Sequence, residues 1–330
     1  MAATPIIAAA GAGRMGRGIA IVFAFAGHDV HLVDLKSRTP EEFSALKESA
    51  LAEVGTTLTM LSQFGMLPAE AIEKAVARVH VFACNEAEAG LNTAGYIFEA
   101  VPETLAAKED AFALICTHAA ETAIIASTTS TILSTDLEQY VSHPERFLNA
   151  HWLNPAFLVP LVELSPASAT AEGTTAALKT LLEQIGKVPV VCTASPGYIV
   201  PRIQALAMNE AARLVEEGVA SAEDIDKATK YGFGFRFAIL GLLEFIDWGG
   251  GDILFYASRY MREATGEDRF AAPQIVKDNM AEGRNGLRDK AGFLDYENMD
   301  IPDYQRARLE AFAAMLKHMD KLPKPGGAIQ

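Results

Sequence analysis

A doubly wound α/β domain followed by an all-helical domain is the fold the sequence predicts. Three observations carry this expectation. Short apolar runs alternate with helix-period segments from Pro5 to Cys192. The first of those runs leads straight into a glycine-rich turn. The strand pattern then stops at Thr193-Ala194-Ser195-Pro196-Gly197, beyond which only helical spacing recurs. The boundary therefore falls near Ser195, giving domains 1–194 and 195–330.

Pro5-Ile6-Ile7-Ala8-Ala9-Ala10 has the continuous apolar character of a buried parallel strand. Gly11-Ala12-Gly13-Arg14-Met15-Gly16 follows and matches G-x-G-x-x-G. Met15, Ile19, Val22, Phe23 and Ala26 then share one helix face, with Gly27 as its stop. A second strand, Asp29 to Val33, ends in Asp34, 18 residues beyond Gly16. Ordinary loops often produce the glycine pattern by itself. Strand, motif, helix, strand and acid in this order form a Rossmann-type dinucleotide-binding unit.

Each residue of that unit has a physical task. Gly11 lets the strand turn tightly, Gly13 lets backbone amides approach a pyrophosphate, and Gly16 lets helix and strand pack closely. The free amides and positive dipole end of the helix opened by Arg14 and Met15 face the phosphates. Asp34 accepts hydrogen bonds from the adenosine ribose and repels a 2′-phosphate, so the expected cofactor is NAD. Lys36 and Arg38 keep NADP as the alternative.

Pro40-Glu41-Glu42 opens a helical arm, with a second helix from Pro68 to Ala77 and the apolar residues Leu58, Met60, Leu61, Phe64, Met66 and Leu67 between them. Strands follow at His80 to Ala83, Tyr96 to Val101 and Ala123 to Ser127, with a helix around Lys108 to Ala119. Phe147 to Ala150 and Val159 to Leu164 read as two further strands, and a helix from Ala171 to Ile185 leads to a last one, Val188 to Cys192. In the second domain Ile203, Leu206, Ala207, Ala211, Leu214 and Val215 share a helix face. Ser221-Ala222-Glu223-Asp224 starts another helix, and Leu309, Phe312, Leu316 and Met319 mark the last one.

Composition narrows the function classes. The 330-residue chain carries a formal net charge of −14 and no run of Lys and Arg, which argues against a nucleic-acid partner. No apolar stretch approaches the ~18 residues of a membrane span, and no basic region precedes the first apolar run. Cys84, Cys116 and Cys192 are odd in number and widely spaced, so reduced thiols in a cytoplasmic protein are expected. The seven histidines lack ligand spacing, and no metal is implied. The short tail Pro323-Lys324-Pro325-Gly326-Gly327 is the one low-complexity segment.

Chemistry belongs at the carboxyl ends of such strands, where Ser130, His151 and Glu163 fall. His151 suits a general base, Glu163 suits the acceptor that orients it, and Ser130 can hold the oxygen that gains or loses the proton. Spacing alone leaves bland alternatives open: His151 as a strand cap, Glu163 as the partner of a surface lysine.

The motifs taken together are similar to the 3-hydroxyacyl-CoA dehydrogenase family. They are Gly11 to Gly16 with Asp34, Glu99-Ala100-Val101-Pro102-Glu103 with Lys108, and Ala126-Ser127-Thr128-Thr129-Ser130. His151-Trp152-Leu153-Asn154-Pro155 with Glu163, Ser195-Pro196-Gly197-Tyr198-Ile199-Val200, and Glu282 to Arg288 continuing to Gly292–Tyr296 complete the set. The resemblance implies a helical dimerisation domain and NAD-dependent oxidation of an L-3-hydroxy group to a ketone. It also implies His151 as base, Glu163 as its orienting partner, Ser130 and Asn154 at the substrate, and Glu103 and Lys108 near the nicotinamide ribose. Pro201 stands where the family usually has Asn, with Gln204 as the candidate substitute, and Thr128 also departs from the pattern.

A short acyl-CoA such as 3-hydroxybutyryl-CoA is the first substrate expectation. A free 3-hydroxy acid, as in the branch of gulonate dehydrogenase and lambda-crystallin, is the second, and a non-catalytic NAD-binding structural protein is the third. Arg236, alone in the apolar segment from Gly232 to Ala238, fits a substrate carboxylate or a salt bridge to Glu244 or Asp247. The many apolar residues from Phe233 to Ile246 predict a homodimer, with an ordinary core as the alternative.

Overall fold

The computed structural model describes residues 4–323; residues 324–327 of the tail noted above lie outside the described residues. The chain divides between Ala207 and Met208 into two compact units. The first is built on eight strands: β1 Ile7–Ala10, β2 Val30–Val33, β3 Val79–Phe82, β4 Tyr96–Glu99, β5 Ile124–Ser127, β6 Phe147–Trp152, β7 Leu161–Pro166 and β8 Val188–Val191. They lie in one sheet in the order β3-β2-β1-β4-β5-β6-β7-β8. Every neighbouring pair is parallel except β6 with β7, whose antiparallel register sets His151 opposite Glu163.

Seven helices belong to this unit: α1 Arg14–Phe25, α2 Pro40–Gln63, α3 Ile72–Val76, α4 Ala87–Leu91, α5 Leu105–His118, α6 Ser134–Leu137 and α7 Glu172–Gln184. Alternate strand residues feed two separate apolar layers. Ile7 and Ala9 join Ile19 of α1, Val54 and Leu58 of α2 and Leu178 of α7 on one face. Ala8 and Ala10 join Leu91 of α4, Phe112 and Ile115 of α5 and Leu137 of α6 on the other. Burial on both faces explains why β1 has no polar residue. The strand order reverses between β1 and β4, and at such a switch point the loops leave a crevice for a ligand.

The arm differs from the sequence expectation in its boundaries. Thr39 caps α2 with a reciprocal pair: Glu42 N–H donates to Thr39 Oγ1 at 3.2 Å and Thr39 N–H to Glu42 Oε2 at 3.0 Å. From there α2 runs unbroken to Gln63 and takes in Leu58, Met60 and Leu61. The segment expected to be helical from Pro68 starts as a 3₁₀ turn, Ala69–Ala71, before α3.

The helix α8, Val200–Glu216, runs across the division between the units. Beyond it lie α9 Ala222–Ala228, a π-helical turn at Thr229–Gly234, α10 Phe235–Phe237, α11 Leu242–Gly249, α12 Gly251–Thr265, α13 Gln274–Ala281 and α14 Ile301–His318. Ser221 caps α9, accepting from Asp224 N–H at 3.1 Å. The buried Asp247 carboxylate ties α11 to the 293–296 segment, accepting from Phe293 N–H, Leu294 N–H and the Tyr296 hydroxyl at 2.9, 2.8 and 3.1 Å. No helix among the described residues is long and apolar enough to cross a membrane.

Candidate active site

The glycine-rich turn does what its spacing requires. Gly11 adopts φ +124°, and a Cβ there would lie 2.5 Å from the Ala100 carbonyl oxygen across the switch point. A Cβ on Gly16 would lie 1.9 Å from the Gly11 carbonyl oxygen, so α1 can rise beside β1 only without one. Gly13 faces open space, where a Cβ would meet no atom within 4 Å, and is the N-cap from which Arg14 and Met15 begin α1. An open, dipole-positive helix start beside two tightly packed glycines fits the pyrophosphate of a dinucleotide. Asp34 follows β2 and is buried. It accepts from Lys36 N–H at 3.4 Å and forms an ion pair with the Arg38 guanidinium.

Past β4 and β5 a buried polar cluster forms. The Lys108 ammonium, fully enclosed, donates to both Glu99 carboxylate oxygens at 3.1 and 2.9 Å. Ser127 Oγ donates to Glu99 Oε2 at 2.6 Å. Lys108 also lies 3.6 Å from Glu103. Glu103 in turn grips the loop that carries Ser130. Its Oε1 accepts from Ser130 N–H and Thr131 N–H, both at 3.0 Å, from Thr131 Oγ1 at 2.9 Å and from Thr129 Oγ1. Burial works against the Glu103 charge, but the Thr129 and Thr131 donors and the Lys108 charge outweigh it and hold the carboxyl below its ordinary range. Asn149 on β6 steadies the same loop by donating its amide to the Thr129 carbonyl at 3.2 Å.

The β6–β7 register brings together His151 and Glu163, the two residues named from the sequence as base and orienting acceptor. His151 Nδ1 and Glu163 Oε2 are 2.7 Å apart, and both side chains are buried. The second oxygen, Glu163 Oε1, accepts from Ile199 N–H and Val200 N–H, each at 2.9 Å. Burial alone would raise the Glu163 pKa, yet the His151 contact and the two amides bring it below the usual carboxylate value. An ionised Glu163 at Nδ1 fixes the tautomer with its proton there and leaves Nε2 as the basic nitrogen. The arrangement can therefore accept a proton at Nε2 and stabilise the resulting imidazolium.

Asn154 lines a cleft of about 290 Å³ together with Arg14, Gly18, Glu53 and Phe157. The turn after it is clamped by Lys187, whose buried ammonium donates to the Ala156 and Val159 carbonyls at 2.6 and 2.8 Å. Pro201 sits in the first turn of α8, where its missing N–H has no helical acceptor to lose, and Gln204 is exposed one turn on. In the second unit Arg236 is exposed. Its guanidinium lies 4.8 Å over the Phe245 ring and its Nε donates to the Gly232 carbonyl at 3.0 Å. Neither acid considered as its partner is available: Glu244 pairs with Arg308 at 2.8 Å and with Tyr304, and Asp247 is held by the 293–296 segment. Among the described residues no group of His, Cys, Asp and Glu side chains is placed to hold a metal ion.

The structure thus gathers Ser130, Glu103 and Lys108 into one connected network and His151 with Glu163 into another, while Arg236 belongs to the other unit. Glu99, Ser127, Asn149, Lys187 and Tyr198 had no assigned role in the sequence reading. A charged or polar residue inside an otherwise apolar strand, as at Glu99 and Asn149, was the available signal, because a buried polar group needs a partner.

Two family models match: "3-hydroxyacyl-CoA dehydrogenase, NAD binding domain" over residues 6–195 and "3-hydroxyacyl-CoA dehydrogenase, C-terminal domain" over 197–296. The chain is 31% identical over 290 residues to a 3-hydroxybutyryl-CoA dehydrogenase of Clostridioides difficile, covering 88% of this chain and 99% of that one. It is 28% identical over 316 residues to the 5-formyl-3-hydroxy-2-methylpyridine 4-carboxylate 5-dehydrogenase of Mesorhizobium japonicum, covering 95% and 98%. A solved 3-hydroxyacyl-CoA dehydrogenase of Archaeoglobus fulgidus superposes with a TM-score of 0.75 at 28% identity, over 96% of this chain and all, 100%, of that one. The paired glycine turn and acid, the His151–Glu163 pair and the order of the two matched domains all agree, and the chain belongs to the NAD-dependent 3-hydroxyacyl-CoA dehydrogenase family.

Proposed function

We propose that the protein oxidises the L-3-hydroxy group of a short, 3-hydroxybutyryl-CoA-like 3-hydroxyacyl-CoA to the 3-keto product. The observation that carries this reading is the buried His151–Glu163 pair on adjacent strands of an NAD-binding domain. NAD, when bound, accepts the hydride. Gly11, Gly13, Arg14, Met15, Gly16 and Asp34 hold its pyrophosphate and adenosine ribose, with Glu103 toward the nicotinamide side; Lys108, expected there from the sequence, is fully enclosed and acts through Glu99 and Glu103. His151 takes the hydroxyl proton at Nε2, and Glu163 holds the ring and offsets the new positive charge. Ser130 donates to the reacting oxygen, and Asn154 binds beside it. General-base help of this kind contributes typically ~10²–10⁴ in rate.

A free 3-hydroxy acid, or a dicarboxylic acyl chain, is the second reading, and Arg236 favours it. An exposed guanidinium without a carboxylate partner among the described residues, backed by Phe245, suits a bidentate carboxylate. The Mesorhizobium relative is named for a carboxylate substrate without CoA. The arm also offers only Lys47 and Lys74 to CoA phosphates, against Glu41, Glu42, Glu48, Glu53, Glu70 and Glu73. A structural protein without turnover has no need of the His151–Glu163 pair. Following absorbance near 340 nm with NAD and a panel of L-3-hydroxyacyl-CoA thioesters and free 3-hydroxy acids decides among the three. Turnover of thioesters supports the first reading; turnover of free acids alone replaces it, and none with either removes both. In the second case Arg236→Met should raise KM for the charged substrate and leave KM for NAD unchanged.

The same reading includes a homodimer through residues 195–330. Of the apolar residues from Phe233 to Ile246 only Leu240 is buried, most are partly buried, and Phe233 and Leu243, like Ile253, Tyr256 and Tyr260, are exposed. Such an apolar excess needs a cover. A monomer mass by light scattering at micromolar concentration would count against it. The three free cysteines suit a reducing, cytoplasmic setting.

A further inference from the structure

His151 and Ser130 reach the site from different segments, β6 and the loop after β5, and Tyr198 touches both. Its ring lies beside the imidazole with centroids 6.0 Å apart and planes 26° from parallel. Its hydroxyl donates to the Ile132 carbonyl, two residues beyond Ser130, at 2.8 Å. The side chain is buried. Its backbone adopts φ +44°, a left-handed conformation unusual for an aromatic residue, and follows Gly197 at φ +75°. That twist is what turns the next two amides, of Ile199 and Val200, onto Glu163 while the Tyr198 ring turns to His151. Burial, and then the charges of Cys192, Glu103 and Glu163, push the phenol well above its ordinary pKa, so it remains a protonated donor.

We propose that Tyr198 is a positioning residue that sets the Ser130 loop and the His151 imidazole in register for the reaction. The inference rests on the roles given above to His151 and Ser130. The near-parallel Tyr198 ring beside the imidazole and the Glu163 carboxylate at Nδ1 bear on the orientation of the His151 side chain from two directions. The Ile132 hydrogen bond then ties the height of the Ser130 loop to the same ring. Glu103 holds that loop from the segment after β4 and Asn149 ties it to the β6 backbone, whereas Tyr198 joins it to the imidazole ring itself.

The test is a double-mutant cycle of Tyr198→Phe and Ser130→Ala, read as kcat and as KM for substrate and NAD. L-3-hydroxybutyryl-CoA, or the best free acid of the 340 nm screen, is the substrate. Phenylalanine keeps the ring and loses only the Ile132 bond. Tyr198→Phe should lower kcat about fivefold to tenfold, the effect of one ordinary hydrogen bond, with KM for NAD unchanged. In the Ser130→Ala background the same change should cost less than about twofold, because the loop then carries no hydroxyl to place. Tyr198→Leu, which also removes the ring, should lower kcat further in both backgrounds. Equal losses in kcat from Tyr198→Phe with and without Ser130 overturn the proposal, as does no loss in kcat. A separate His151→Gln variant keeps the two ideas apart. If it turns over normally, the reading of the site fails; if it is inactive while the cycle is additive, only the role of Tyr198 fails.

Discussion

Adding one methyl group at each of two glycines should separate folding from cofactor binding. In Gly16→Ala the new Cβ would stand 1.9 Å from the Gly11 carbonyl oxygen and 3.1 Å from its carbon. An ordinary C···O contact is over 3 Å, so α1 must move away from β1 by about 1 Å. Leu32, 3.4 Å from the same point, blocks part of that movement. Overpacking of this kind costs about 1–3 kcal/mol. For a unit of this size each kcal/mol lowers Tm by about 2–4 °C, so a fall of about 2–12 °C is expected without NAD. Gly13→Ala meets no protein atom within 4 Å and should melt as wild type does. On the cofactor role proposed for Gly13, its methyl group instead enters the open space that would receive the pyrophosphate. Scanning calorimetry with and without NAD reads both effects. Saturating ligand at about 100 Kd stabilises by about 2.7 kcal/mol, and Gly13→Ala should lose most of that gain at the same NAD concentration. A Gly16→Ala protein as stable as wild type, or a Gly13→Ala protein with an undiminished NAD shift, would refute the packing and cofactor roles respectively.

Glu163→Gln should lower kcat less than loss of His151 does, since it disturbs the tautomer and the imidazolium without removing the base; equal losses would contradict the orienting role. The same residue has a pH signature. Its folded pKa lies below the unfolded value of about 4.3, so its stabilisation is complete above that pH and is lost as pH falls through the folded pKa. Glu103 has the same sign. Urea melts should therefore show the first unit weakening below about pH 4.5, with a smaller slope in Glu163→Gln; an unchanged slope would exclude this source. For cofactor choice, Asp34→Ala should raise kcat/KM with NADP relative to NAD by roughly tenfold, the repulsion of one charge. Arg38→Ala, which leaves Asp34 without its ion-pair partner, should shift the ratio toward NAD. Opposite shifts would mean that Asp34 does not meet the ribose.

Much of the first unit was legible because its determinants are local. β1 is buried on both faces and reads as an unbroken apolar run, and Gly16 is required by the Gly11 carbonyl five residues before it, although the contact that requires Gly11 is with Ala100 on a different strand segment. The His151–Glu163 pair was legible as two candidates and a family motif, but only the antiparallel register of β6 and β7 makes it a contact. Neither partner order nor strand direction is written in a single strand's composition. The helices α4 and α6 went unread because five and four residues carry too little periodicity. The pairing of Arg38 with Asp34 and the reach of Tyr198 to Ile132 depend on how loops fold back, with 66 residues separating the latter pair. Arg236 was legible as an oddity in an apolar segment; that Glu244 and Asp247 are occupied elsewhere is visible only in three dimensions.

We take His151 to be the base in an NAD-dependent oxidation of a 3-hydroxy group. The most direct measurement is the rate of NAD reduction by His151→Gln at saturating substrate, with NAD affinity measured on the same protein by calorimetric titration. Glutamine preserves the size of the side chain and can accept from the substrate hydroxyl, but it cannot hold the proton. The expected result is a kcat lower by about 10²–10⁴ with NAD affinity unchanged. Turnover within a few-fold of wild type, with NAD still bound normally, would contradict the claim.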